Sequence, residues 1–81
     1  MIDKNTYLNL KREIKHLCRK NIIELCDNME LNQEERQLLT NLYDNKSRIQ
    51  TCMEMGMSQD TYTTHMKLLF TKIHNYKNTL D

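Results

Sequence analysis

The sequence predicts an all-helical domain of about four helices: a long N-terminal amphipathic helix, then a tri-helical unit ending in a helix-turn-helix. Three observations carry this. Apolar residues recur at spacings of three and four along most of the chain, the period of a helix with one buried stripe. Proline is absent from all 81 residues, so none interrupts a helix from within. The only glycine, Gly56, is followed two positions later by Ser58. Glycine readily adopts the left-handed conformation that closes a helix, and a serine hydroxyl accepts from the free N–H groups that open one. One helix stops and another starts within about three residues, the spacing of a helix-turn-helix.

The first segment runs from Asp3 to about Asn28, with Tyr7, Leu10, Ile14, Leu17, Cys18, Ile22, Leu25 and Cys26 as its apolar stripe. Asp3, Asn5 or Thr6 caps its start. It also bears Lys11, Arg12, Lys15, Arg19 and Lys20 against a single nearby acid, Glu13. Lys11, Lys15 and Arg19 recur every four residues and so share a face. The expected result is a basic ridge beside or opposite the apolar stripe. It suits DNA phosphates or an acidic partner surface, the alternative being a solvated helix face.

The second segment, Asn32 to about Asn45, opens with Asn-Gln-Glu-Glu. Asn32 is the expected cap, with Glu35 reaching back to complete a capping box. Leu38, Leu39, Leu42 and Tyr43 form its apolar face, and Glu30, Glu34, Glu35, Asp44 and Glu54 make the region acidic. A short polar connection follows, in which Asn45 tolerates a left-handed backbone. The third helix spans about Ser47 to Glu54, offering Ile49, Cys52 and Met53 for burial. The fourth runs from about Gln59 to at least Ile73, up to Tyr76, with Tyr62, Met66, Leu69, Ile73 and Tyr76 on its core face.

From Leu31 to Ile73 the chain resembles, without gaps, the DNA-binding domain of LuxR-type transcription regulators, a close structural relative of region 4 of bacterial sigma factors. Ser47, Gly56, Ser58, Thr61, His65 and Lys72 match the family's helix-turn-helix identically, and Met55, Tyr62, Leu69 and Ile73 are apolar replacements. Leu31, Glu35, Arg36 and Leu39 fall on its entry motif. Thr51 and Cys52 depart from it, standing where the family has Ile and Ala, and its fourth, dimer-forming helix has no obvious counterpart after Ile73. The resemblance implies a recognition helix that enters the DNA major groove, with Thr63, Thr64 and Lys67 at the base-reading positions. Gln59 lies beside them on the outward face near the helix start, where such helices touch bases. Threonine bonds base edges or phosphate, and lysine bonds guanine or phosphate. Lys46, Arg48 and Lys72 are candidates for backbone contact.

Composition bounds the alternatives. The chain reads as one domain, with residues 1–29 as the basic helix and 31–76 as the helix-turn-helix core, and has no room for a separate substrate domain. A formal net charge of +1 is low for a DNA-binding module. That charge, the size and Asp60 on the recognition helix favour another class: a protein-binding modulator, of the kind phages encode, docking on RNA polymerase or a host defence protein. The odd set Cys18, Cys26 and Cys52 argues against disulfides and for a cytoplasmic setting. No signal peptide or membrane span is expected, since the first ten residues are polar and no apolar run approaches about 18. His16, His65 and His74 lack metal-ligand spacing, and one glycine cannot build a phosphate loop. Neither a cofactor, a metal nor an enzymatic activity is expected. A homodimer through the first helix or the tail from His74 to Asp81 would supply paired DNA half-sites.

Overall fold

The computed structural model describes residues 2–80 and is all-helical: α1 (Lys4–His16), α2 (Arg19–Asn28), α3 (Gln33–Tyr43), α4 (Arg48–Met55) and α5 (Gln59–Leu80). There are five helices rather than about four because the N-terminal segment breaks. Leu17 and Cys18 take extended backbone, with ψ of 154° and 160°. On one straight helix Ile22 would sit about 80° round from Ile14, since each residue turns about 100°. The break re-aims the chain so that Leu10 and Ile14 of α1 and Ile22 and Cys26 of α2 all reach the core. Cys18, expected in the apolar stripe, is instead the exposed residue before α2 and gives no side-chain cap.

Four helix starts are capped by side chains. The Asp3 carboxylate accepts from the Thr6 N–H at 2.7 Å, and Ser47 Oγ accepts from the Gln50 N–H at 3.0 Å. Asn32 and Glu35 complete the expected capping box, with reciprocal bonds of 2.8 and 3.1 Å. Ser58 Oγ accepts from the Thr61 N–H at 3.2 Å.

Three helix ends close in one way, through a single residue of positive φ: Glu30 (54°), Asn45 (62°) and Gly56 (64°). After each, an N–H reaches back five residues: Leu31 to Cys26 O (3.1 Å), Lys46 to Asn41 O (2.9 Å) and Met57 to Cys52 O (3.1 Å). This satisfies carbonyls that the helix ends leave free. A Cβ at Gly56 would meet nothing within 4 Å, so only the left-handed backbone resists substitution. Gly56→Ala is expected to lower stability by about 1–2 kcal/mol, read as a lower urea midpoint. An unchanged midpoint would mean that the turn does not depend on this conformation.

α5 is the spine of the core. Its 22 residues extend about 33 Å at 1.5 Å per residue, in a molecule measuring 36 × 27 × 21 Å. Met66, Leu69, Phe70 and Ile73 are buried, and α1, α3 and α4 all pack on this helix. Phe70 widens the face expected from Tyr62, Met66, Leu69, Ile73 and Tyr76; its ring lies 4.4 Å from that of Tyr7.

α4 departs from expectation. Its buried residues are Thr51 and Cys52, while Ile49 and Met53 are 57% and 79% exposed. Eight residues offer one narrow face to α5 and α3, and that face is already occupied. Thr51 meets a matched partner there: Asn41 Nδ2 donates to Thr51 Oγ1 at 3.4 Å, and Gln37 Nε2 donates to Asn41 Oδ1 at 2.8 Å. A buried polar pair that satisfies itself fastens α3 to α4.

Candidate nucleic-acid interface

Between α1 on one side and α4 with the start of α5 on the other lies an open cleft. Lys4, Leu8, Lys11 and Lys15 line it from α1, at spacings of four, three and four that place them on one helix face. The opposite wall carries Lys46, Arg48, Ile49, Thr63 and Lys67, and Tyr7, Leu42 and Tyr62 also contribute to the lining. Burial pushes the Tyr7 and Tyr62 phenols up; the neighbouring Tyr62 adds to the effect on Tyr7, and Arg48 partly opposes it at Tyr62.

The cleft concentrates positive charge. Of the 12 Lys and Arg residues, Arg19, Arg36, Lys46, Lys72 and Lys77 form ion pairs among the described residues. Of the seven others, Lys4, Lys11, Lys15, Arg48 and Lys67 line this one cleft. Among the described residues Asp3 is its only lining carboxylate, held below its usual range chiefly by the Thr6 N–H it caps. Comparison with family models, curated proteins and solved structures finds no match for this chain. A net charge of +1 conceals segregation: among the described residues Glu13, Asp27, Glu35, Asp44 and Glu54 are matched to Lys or Arg, while most of the unmatched Lys and Arg line the cleft.

Of the seven expected DNA-contacting residues, four converge here: Lys46, Arg48, Thr63 and Lys67. Lys46 also reaches Glu54 at 3.1 Å, and Thr63 Oγ1 donates to the Gln59 carbonyl at 3.0 Å. Gln59 and Thr64 are exposed near the start of α5 but do not line the cleft. Lys72 is turned away, about 140° round the helix from Lys67, and donates to both Glu35 oxygens at 3.0 and 2.8 Å.

The expected basic ridge does not hold together. α1 ends at His16, so Arg19 does not share the face of Lys11 and Lys15. Arg19 instead lies 2.5 Å from Asp44 and 5.5 Å above the Tyr43 ring, tying α2 to the end of α3. Lys20 is exposed on α2, and Arg12 lines a separate apolar groove between α1, α2 and α5. Lys4 and Leu8 take the places these residues leave. The signal for them was in the sequence, since they extend the spacing of Lys11 and Lys15 back by two turns.

The entry motif has a structural role. Leu31 is buried, and Arg36 donates to the Leu31 carbonyl at 2.9 Å and to Asp27 at 2.8 Å, pinning the α2–α3 connection. His65 Nδ1 lies 2.5 Å from Glu34 Oε1, and His74 pairs with Asn78 on the same helix. Among the described residues no three His, Cys, Asp or Glu side chains gather as metal ligands, and no helix is long and apolar enough to cross a membrane.

Glu35 makes stability pH-dependent. Burial alone would push its carboxyl up, but Lys72 and the Asn32 N–H outweigh this and hold it below its ordinary 4.5. A carboxyl with a lowered folded pKa contributes stability that is complete above the unfolded value and is lost as pH falls through the folded one. The urea midpoint is therefore expected to drop on acidification below about pH 5, and Glu35→Gln to flatten that decline. An equally steep decline in the variant would assign the acid sensitivity to other groups.

Proposed function

We propose that the protein is a small DNA-binding transcription regulator in which α4 and α5 act as a helix-turn-helix of LuxR or sigma region 4 type. The observation that carries this reading is the convergence of unmatched cations on the cleft beside the first turns of α5. Phosphate contacts supply much of the affinity of DNA-binding modules, and local charge rather than net charge determines whether a strand is held. Arg48 and Lys46 bind backbone, Thr63 and Lys67 stand at the groove, and Gln59 and Thr64 face the bases from the outer side of α5. The resemblance over residues 31–73 supports the same assignment.

Binding to random duplex DNA at about 50 and 200 mM salt tests it. With four or five phosphates neutralised, affinity falls by roughly two to three powers of ten across that range. Sequence selection on the retained DNA then enriches a defined site. No binding at the lower salt would refute the reading.

Exposed Leu8, Ile49 and Met53 favour a second reading, because phosphates gain nothing from apolar side chains. In it the same surface docks on a protein such as RNA polymerase or a host defence factor. A pull-down from nuclease-treated lysate separates the two readings: a retained protein partner supports docking, and loss of all partners supports bridging by DNA.

A further inference from the structure

We infer that α1 is the second wall of the DNA site, with Lys4, Lys11 and Lys15 holding one sugar–phosphate strand against Arg48 and Lys67 across the cleft. The inference rests on the DNA-binding reading and goes beyond it, since a helix-turn-helix needs only α4 and α5 to reach DNA.

Three observations carry it. The α1 lysines lie on one helix face, and that face lines the cleft. None of the three is paired among the described residues, whereas Arg19, Lys72 and Lys77, outside the cleft, are each matched to a carboxylate. From Lys4 to Lys15 the helix rises about 16 Å, the axial length of about five nucleotides in one strand at 3.4 Å each. A strand in the cleft therefore meets cations from both sides along a continuous run. Leu8, between Lys4 and Lys11 on the same face, is placed against the apolar carbons of deoxyribose. Arg12 and Lys20 carry the same charge and are equally unmatched among the described residues, yet Arg12 lines the other groove and neither lines this one.

The contrast supplies a charge-matched test on random duplex DNA. The double variants Lys11→Gln/Lys15→Gln and Arg12→Gln/Lys20→Gln remove the same two charges. The first is expected to flatten the slope of log K against log salt by about 1.8, at about 0.9 for each phosphate no longer neutralised. The second is expected to leave the slope unchanged. Adding Lys4→Gln to the first flattens it by about a further 0.9. Lys11→Arg/Lys15→Arg restores the parental slope and, with a circular dichroism spectrum for each variant, separates weakened binding from impaired folding. Equal changes in the two double variants would reduce the effect to net charge and overturn the inference. So would an unaltered slope in the first while the parent protein binds. Failure of the parent protein to bind duplex DNA at all would be the distinct failure of the proposed function.

Discussion

Phe70→Ala is expected to cost about 3–5 kcal/mol of folding stability, the range for removing a buried aromatic ring. Phe70 has 0% exposure and sits in the middle of α5, among the core residues of α1, α2 and α3 and in contact with Tyr7. The loss combines the transfer energy of the ring with the cavity it leaves, because helices pinned by caps and ion pairs cannot collapse fully into the space. Total stability for a domain of this length is roughly 4–12 kcal/mol at 0.05–0.15 kcal/mol per residue. The variant should therefore be partly unfolded at room temperature, or unfold at a much lower urea concentration. Phe70→Leu, which keeps most of the volume, should cost far less. A loss below about 1 kcal/mol for Phe70→Ala would mean that the core closes over the gap and that Phe70 is not its centre.

The second large effect concerns binding. Arg48→Glu/Lys67→Glu is expected to weaken association with duplex DNA by about 3 kcal/mol or more, over a hundredfold. In the proposed site each parent side chain would supply a charge-assisted contact of about 1.5–3 kcal/mol, and each new carboxylate would repel the strand. Both positions are exposed and neither is in an ion pair among the described residues, so the fold should be unaffected and the melting curve should show it. The single change Lys67→Ala should cost roughly 1–3 kcal/mol at a selected site. An affinity within twofold of the parent for the double variant would remove this wall of the cleft from the interface and favour protein docking.

What could be read in the sequence was what local chemistry dictates. The Asn32–Glu35 capping box, the Ser58 cap and the left-handed turns at Asn45 and Gly56 each follow from a few neighbouring residues, and each stands where expected. Glu30 takes the same turn without a signature, because nothing in a glutamate announces positive φ. The break at Leu17–Cys18 was not legible either: the apolar spacing runs on through it, and only packing against α3 and α5 makes two helices better than one. The same break decides the candidate site. Charge spacing placed Lys11, Lys15 and Arg19 on one ridge, but pairing with Asp44 and Glu35 takes Arg19 and Lys72 out of reach, and partners 25 and 37 residues distant lie beyond any local pattern. Thr51 stood out as polar where apolar was expected. Its explanation, Asn41, lies on a different helix.

α5 closes the core and, in the proposed function, also carries the side chains nearest to DNA, which has a thermodynamic consequence. Its outer turns are continuous with buried turns that cannot move without opening the interior, so the proposed reading surface would be rigid before any ligand arrives. Association would then require little ordering of the protein, and the heat-capacity change on complex formation should be small, reflecting only the surface covered.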